Sequence, residues 1–96
     1  MRERDVELRL SREVKKLGGL SWKFTSPGVS GVPDRFVALP GGAVWLIELK
    51  APGKKPTPMQ AHRIQQLRDR GVRVRVLDSY EAIDQWAELQ KSGEVA

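Results

Sequence analysis

The chain has 96 residues, and 17 Lys+Arg against 12 Asp+Glu give a formal charge of +5 with the single His neutral. One domain spanning 1–96 is expected: 40% hydrophobic residues can build a packed core, while the absence of cysteine excludes disulfide scaffolds, thiolate zinc sites, iron–sulfur clusters and cysteine nucleophiles. The longest apolar run, Ala43–Ile47, falls far short of the ~20 residues of a membrane span, and the charged start Met1–Asp5 lacks the apolar core of a signal peptide, so a soluble, cytoplasmic protein is expected.

From about Glu3 to Leu17, Val6, Leu10, Val14 and Leu17 recur at helical spacing until Gly18-Gly19 stops the pattern. Leu20–Thr25 reads as a short strand with Trp22 and Phe24 on one side. Two prolines and two glycines within the eight residues 26–33 make that stretch a loop. Asp34–Leu39 and Ala43–Lys50 read as strands joined by Pro40-Gly41-Gly42, a hairpin turn. The second is apolar on both faces, Val44 and Leu46 on one and Ala43, Trp45, Ile47 and Leu49 on the other, which predicts a central strand. After the basic loop Ala51–Pro56, Thr57-Pro58-Met59-Gln60 supplies an N-cap, a first-turn proline and a capping box for a helix. Its stripe is Ile64 and Leu67, and Gly71 ends it. Val72–Leu77 alternates as a strand, and a last helix after Asp78-Ser79 turns Ala82, Ile83, Trp86 and Leu89 inward, with a frayed tail at about 91–96. The order predicts an α/β fold: a mixed sheet flanked by helices with a strand–helix–strand crossover in its second half. A domain this small would gain from self-association.

Chemistry concentrates at Glu48 and Lys50, which share a strand face. A three-residue hairpin loop sets Leu39 opposite Ala43, so opposed residues sum to 82 and Asp34 falls opposite Glu48. Two opposed carboxylates repel, and a magnesium or manganese ion between them would resolve the conflict. Phosphodiester hydrolysis follows: the cation polarises phosphate and activates water, and Lys50 orients the water or stabilises developing charge. The plainer alternative is that Lys50 neutralises Glu48 and Asp34 caps the Pro33 turn. A sequence pI near 10 points to a polyanionic partner.

Gly31-Val32-Pro33-Asp34, then Glu48-Leu49-Lys50, then Gln60 in the next helix, resembles the VRR-NUC branch of the PD-(D/E)XK nucleases. Gly18-Gly19, Lys23-Phe24 and Gly71 with its valine strand extend the resemblance to roughly Glu3–Ile83. It implies a restriction-endonuclease-like αβββαβ core and a metal-dependent DNA endonuclease. Asp34, Glu48 and the Leu49 carbonyl would bind Mg2+ or Mn2+, Lys50 would be the catalytic lysine, and Gln60 would face the site as well as cap its helix. An acid on the first helix is implied too: Glu7, with Glu3 as competitor, or else Glu7 is an ordinary helix charge. Self-contained members resemble Holliday-junction resolvases, act as homodimers on branched DNA, and occur in phage and prophage genomes; the cytoplasm of a bacterial or phage-infected cell is the setting implied. Lys23, Lys54, Lys55, Arg73 and Arg75 are candidate DNA contacts or exposed charges. His62 reads as surface, and Trp22, Trp45 and Trp86 as core or dimer contacts rather than stacking platforms. Two rival readings are an inactive DNA-binding module of the same fold and a basic structural or RNA-binding α/β domain.

Overall fold

The computed structural model describes residues 1–93. Helix α1 (Glu3–Lys16) is followed by strands β1 (Leu20–Lys23), β2 (Arg35–Ala38) and β3 (Val44–Leu49), helix α2 (Pro58–Asp69), strand β4 (Val74–Leu77) and helix α3 (Tyr80–Lys91). The sheet runs β1-β2-β3-β4, antiparallel across its first three strands and parallel between β3 and β4. This is the expected mixed α/β sheet, with α2 forming the crossover that a parallel pair requires.

Strand alternation divides the side chains between two faces. On one, Val37, Leu39, Trp45, Ile47, Leu49 and Leu77 join Val6, Leu10 and Val14 of α1 and Ile83, Trp86 and Ala87 of α3 in one buried cluster. Trp45 and Trp86 meet edge to face with centroids 5.9 Å apart, a favoured aromatic geometry. Arg9 of α1 clasps Asp84 of α3 through two hydrogen bonds of 3.1 and 2.8 Å, tying the helices together outside the cluster. On the other face α2 packs against β4, and buried Ile64 and Val74 lie outside the main cluster.

The hairpin register is the one the turn predicts: Arg35 pairs with Ile47, Phe36 with Leu46, Val37 with Trp45 and Ala38 with Val44. Thr57 caps α2 as expected; its hydroxyl accepts from the Gln60 N–H at 3.2 Å, and the Gln60 side chain accepts from the Thr57 N–H at 2.9 Å.

Several expectations need correction. β1 stops at Lys23, short of Thr25, although the Phe24 N–H still donates to the Asp34 carbonyl at 2.7 Å. β3 is not covered on both faces: Val44 is exposed, because α2 sits over β4 and leaves the hairpin end open. The last strand begins at Val74 rather than Val72. In α3 it is Ala87, not Leu89, that is buried beside Trp86. The helix also continues through Lys91, where a frayed tail was expected; residues 94–96 of that tail lie outside the described residues.

Candidate active site

Asp34 ends the loop that leads into β2, and Glu48 is the next-to-last residue of β3, on the same face. Pro33 is buried, fixing the chain just before the carboxylate. Gly31 sets the loop against α2. Its φ is +82°, and a Cβ there would lie 2.8 Å from the Met59 Cγ and 2.9 Å from the Met59 carbonyl oxygen. Only glycine allows both the backbone angle and the close approach. The loop carrying Asp34 and the helix carrying Gln60 are thereby seated together.

The Leu49 N–H donates to Asp34 Oδ1 at 3.4 Å. In an extended strand the N–H and C=O of one residue point to the same side, so the Leu49 carbonyl is directed towards Asp34 as well. Lys50 Nζ lies 3.7 Å from Glu48 Oε2, with both side chains largely buried. Gln60 Nε2 donates to the same Oε2 at 3.4 Å. Gln60 thus caps its helix and faces Glu48 together. Glu48 Oε1 is buried without a hydrogen-bond partner.

Electrostatics mark this pair as under stress. Burial, and next the neighbouring charge of Asp34, push the Glu48 carboxyl from its ordinary value up to about 7, against the pull of Lys50. Asp34 is also raised, first by burial, while the Leu49 N–H and Arg35 oppose the shift. A buried acceptor with no donor and two carboxylates that resist joint ionisation form a site short of positive charge. An oxygen-seeking divalent cation fits that donor set, with Asp34, Glu48 and the Leu49 carbonyl as the groups that would hold it.

Of the acids of α1, Glu7 is engaged by a basic residue of β2. Glu7 Oε1 lies 2.6 Å from Arg35 Nη2. Arg35 is buried on the α1 side of β2, where an unpaired guanidinium would be costly. Glu7 therefore has a structural duty. Its charge still reaches Asp34, raising that carboxyl, and the charge of Glu3 acts on Glu48 in the same sense. Among the described residues no three acidic or histidine side chains form a ready metal-binding cluster, so neither Glu7 nor Glu3 completes a triad with Asp34 and Glu48.

Arg35 was not singled out by sequence reasoning. The available signal was alternation: next to Asp34 in a strand, its side chain must enter the opposite, core-facing side.

The candidate DNA contacts divide by position. Lys54 and Lys55 are exposed in the loop between Lys50 and α2, and Lys23 is exposed at the end of edge strand β1. Arg73 is exposed just before β4. Arg75 pairs with Ile47 and lies over the Trp45 ring at 5.3 Å, so it is on the face away from Glu48. His62 is exposed on α2, as expected. Trp45 and Trp86 are core residues, whereas Trp22 is 59% exposed.

A consequence for stability follows from the Glu48 shift. The folded state holds this proton up to about pH 7, while an ordinary glutamate releases it near 4.5. Between these values the folded state binds more protons than the unfolded one, so stability falls as pH rises through the window. Urea unfolding in chelator should show a loss on the order of 2 kcal/mol between pH 4.5 and 8. Glu48→Gln should flatten that slope and be the more stable protein at pH 8. A slope unchanged in Glu48→Gln would remove Glu48 as its source.

The comparisons with known proteins agree with this architecture. The VRR-NUC domain family model matches residues 8–81. The chain is 52% identical over 79 residues to "Putative nuclease p44" of Acyrthosiphon pisum secondary endosymbiont phage 1, covering 82% of this chain and 85% of the relative. A solved structure described as a VRR_NUC domain superposes with a TM-score of 0.85 at 36% identity, over 90% of this chain and 94% of the other. No helix among the described residues is long and apolar enough to cross a membrane. With its helices and mixed sheet in the same arrangement, and the family match running from α1 into α3, the chain belongs to the VRR-NUC family of nuclease domains.

Proposed function

We propose that this chain is a divalent-metal-dependent DNA endonuclease, selective for branched DNA such as four-way junctions and active as a homodimer. The observation that carries the hydrolytic reading is the convergence of Asp34, Glu48 and Lys50 on one sheet face, with Glu48 Oε1 buried and unpartnered. The phage relative, named as a nuclease, supports it.

Asp34, Glu48 and the Leu49 carbonyl would hold Mg2+ or Mn2+. When bound, such an ion neutralises the opposed carboxylates and polarises a phosphodiester and its attacking water. Lys50, held at Glu48, places an ammonium where water must be oriented or phosphate charge stabilised. Gln60 keeps Glu48 Oε2 aimed into the site. Glu7 acts from α1 through Arg35 and the field at Asp34. Lys23, Lys54, Lys55 and Arg73 provide charge for flanking phosphates.

Branch selectivity and dimerisation belong together. Resolving a four-way junction takes two symmetric incisions, and one protomer has one such site; a two-fold dimer supplies two. Incubation with linear, flap and four-way junction DNA, in magnesium, manganese or chelator, tests the whole reading. Cleavage only with metal is expected, together with tighter binding to junctions that persists as salt rises, and light scattering should give a dimer at micromolar concentration. A stable monomer that treats linear and branched DNA alike would sink the resolvase reading and leave the nuclease. Binding without cleavage under any metal would favour an inactive DNA-binding module.

A further inference from the structure

We propose that Trp22, stacked on Phe36, is a platform for an unpaired nucleobase beside the cleavage site; this rests on the nuclease reading above. Trp22 is 59% exposed on edge strand β1, whereas Trp45 and Trp86 are 1% exposed. Its ring lies over Phe36 with centroids 6.1 Å apart and an interplanar angle of 22°. A near-parallel stack fixes the orientation of the indole and leaves its outer face open to another π-system.

Position relates this stack to the carboxylates. Lys23 pairs with Arg35, so Phe24, whose N–H donates to the Asp34 carbonyl, stands across from Asp34. Phe24, Asp34 and Glu48 form one row across the sheet. Trp22, Phe36 and Leu46 form the next row on the same face, because Trp22 pairs with Phe36 and Phe36 with Leu46. Adjacent rows on one face are about 7 Å apart, within one nucleotide's reach of a phosphate held at Asp34 and Glu48. α2 sits over β4, at the opposite edge of the sheet, and the Trp22 ring is left exposed. Phe24 is itself 37% exposed beside the carboxylate row.

A nucleobase suits this surface better than a second copy of the chain. The platform adjoins the candidate site directly, where a DNA strand has to pass, and a chain of net charge +5 attracts a polyanion. Every base has a π-face, so stacking would select for an unpaired base without selecting sequence. A forked or flapped DNA offers such bases at its branch point, and intact duplex does not.

The test uses a forked duplex with 2-aminopurine at its first unpaired position and a linear duplex of matched sequence, with calcium replacing magnesium during binding. Trp22→Ala should weaken fork binding about 5- to 100-fold and abolish the 2-aminopurine quenching, with linear-duplex affinity changed less than about twofold. Trp22→Phe should retain most of the fork affinity, whereas Trp22→Leu, apolar but without a π-face, should behave as the alanine variant. Equal losses on both DNAs, no loss on either, or leucine performing as well as phenylalanine would overturn the platform. So would a Trp22→Ala protein with normal fork binding that sediments as monomer where wild type is dimer, since the face would then seat a second copy. If wild type binds neither DNA, the nuclease reading fails and the platform with it; if wild type binds and cleaves but Trp22→Ala does so equally, only the platform fails.

Discussion

Asp34→Asn should lower cleavage on the order of 10³-fold or more while the protein stays folded. The substitution keeps the side chain's shape and its acceptor for the Leu49 N–H, so the local hydrogen bond survives. What it removes is a formal negative charge from a pair whose mutual repulsion already raises Glu48. The folded protein should therefore be no less stable in chelator. It should also lose most of the thermal stabilisation that manganese gives the wild type, because ligand binding stabilises only as far as its affinity allows. Near-normal turnover by the folded variant would take Asp34 out of the site. Intact manganese stabilisation with lost turnover would leave it a chemical role other than metal binding.

Lys50→Met should reduce turnover about 10²- to 10⁴-fold with DNA affinity within a few-fold of wild type. Methionine retains the aliphatic stem in a largely buried position, so the effect reports on the ammonium beside Glu48 rather than on packing. Exposed lysines such as Lys54 and Lys55 should show the opposite division, with weaker binding and nearly unchanged single-turnover cleavage at saturation. Single-turnover kinetics against measured binding constants separates the two. If affinity fell in step with rate for Lys50→Met, Lys50 would be an ordinary phosphate contact.

The hairpin shows why much of the site was legible in sequence. A three-residue loop of Pro40-Gly41-Gly42 leaves one register, and that register alone sets Asp34 against Glu48. The Thr57 capping box was equally legible, because its spacing is local and its hydrogen bonds close within four residues. What could not be read depended on contacts between distant elements. Glu7 and Arg35 meet only when α1 is laid across β2, and nothing in the spacing of either segment announces that pairing. The same is true of Trp22. Its place on an apolar alternation reads as a core or dimer contact, but α2, the helix on that face, lies over β4 instead. In α3, likewise, Ala87 rather than Leu89 is buried beside Trp86.

The two ends of the Gln60 amide separate two constraints that coincide at one position. Its oxygen accepts from the Thr57 N–H, a task that glutamate performs equally well at the third helical position. Its nitrogen donates to Glu48, a task that glutamate cannot perform and would reverse, by setting a third negative charge against a carboxylate that already resists ionisation. Helix formation therefore dictates where such a residue stands, and the chemistry beside it dictates that it be an amide. With both ends engaged, the amide has one orientation, so the start of α2 transmits its position to Glu48 as a rigid strut.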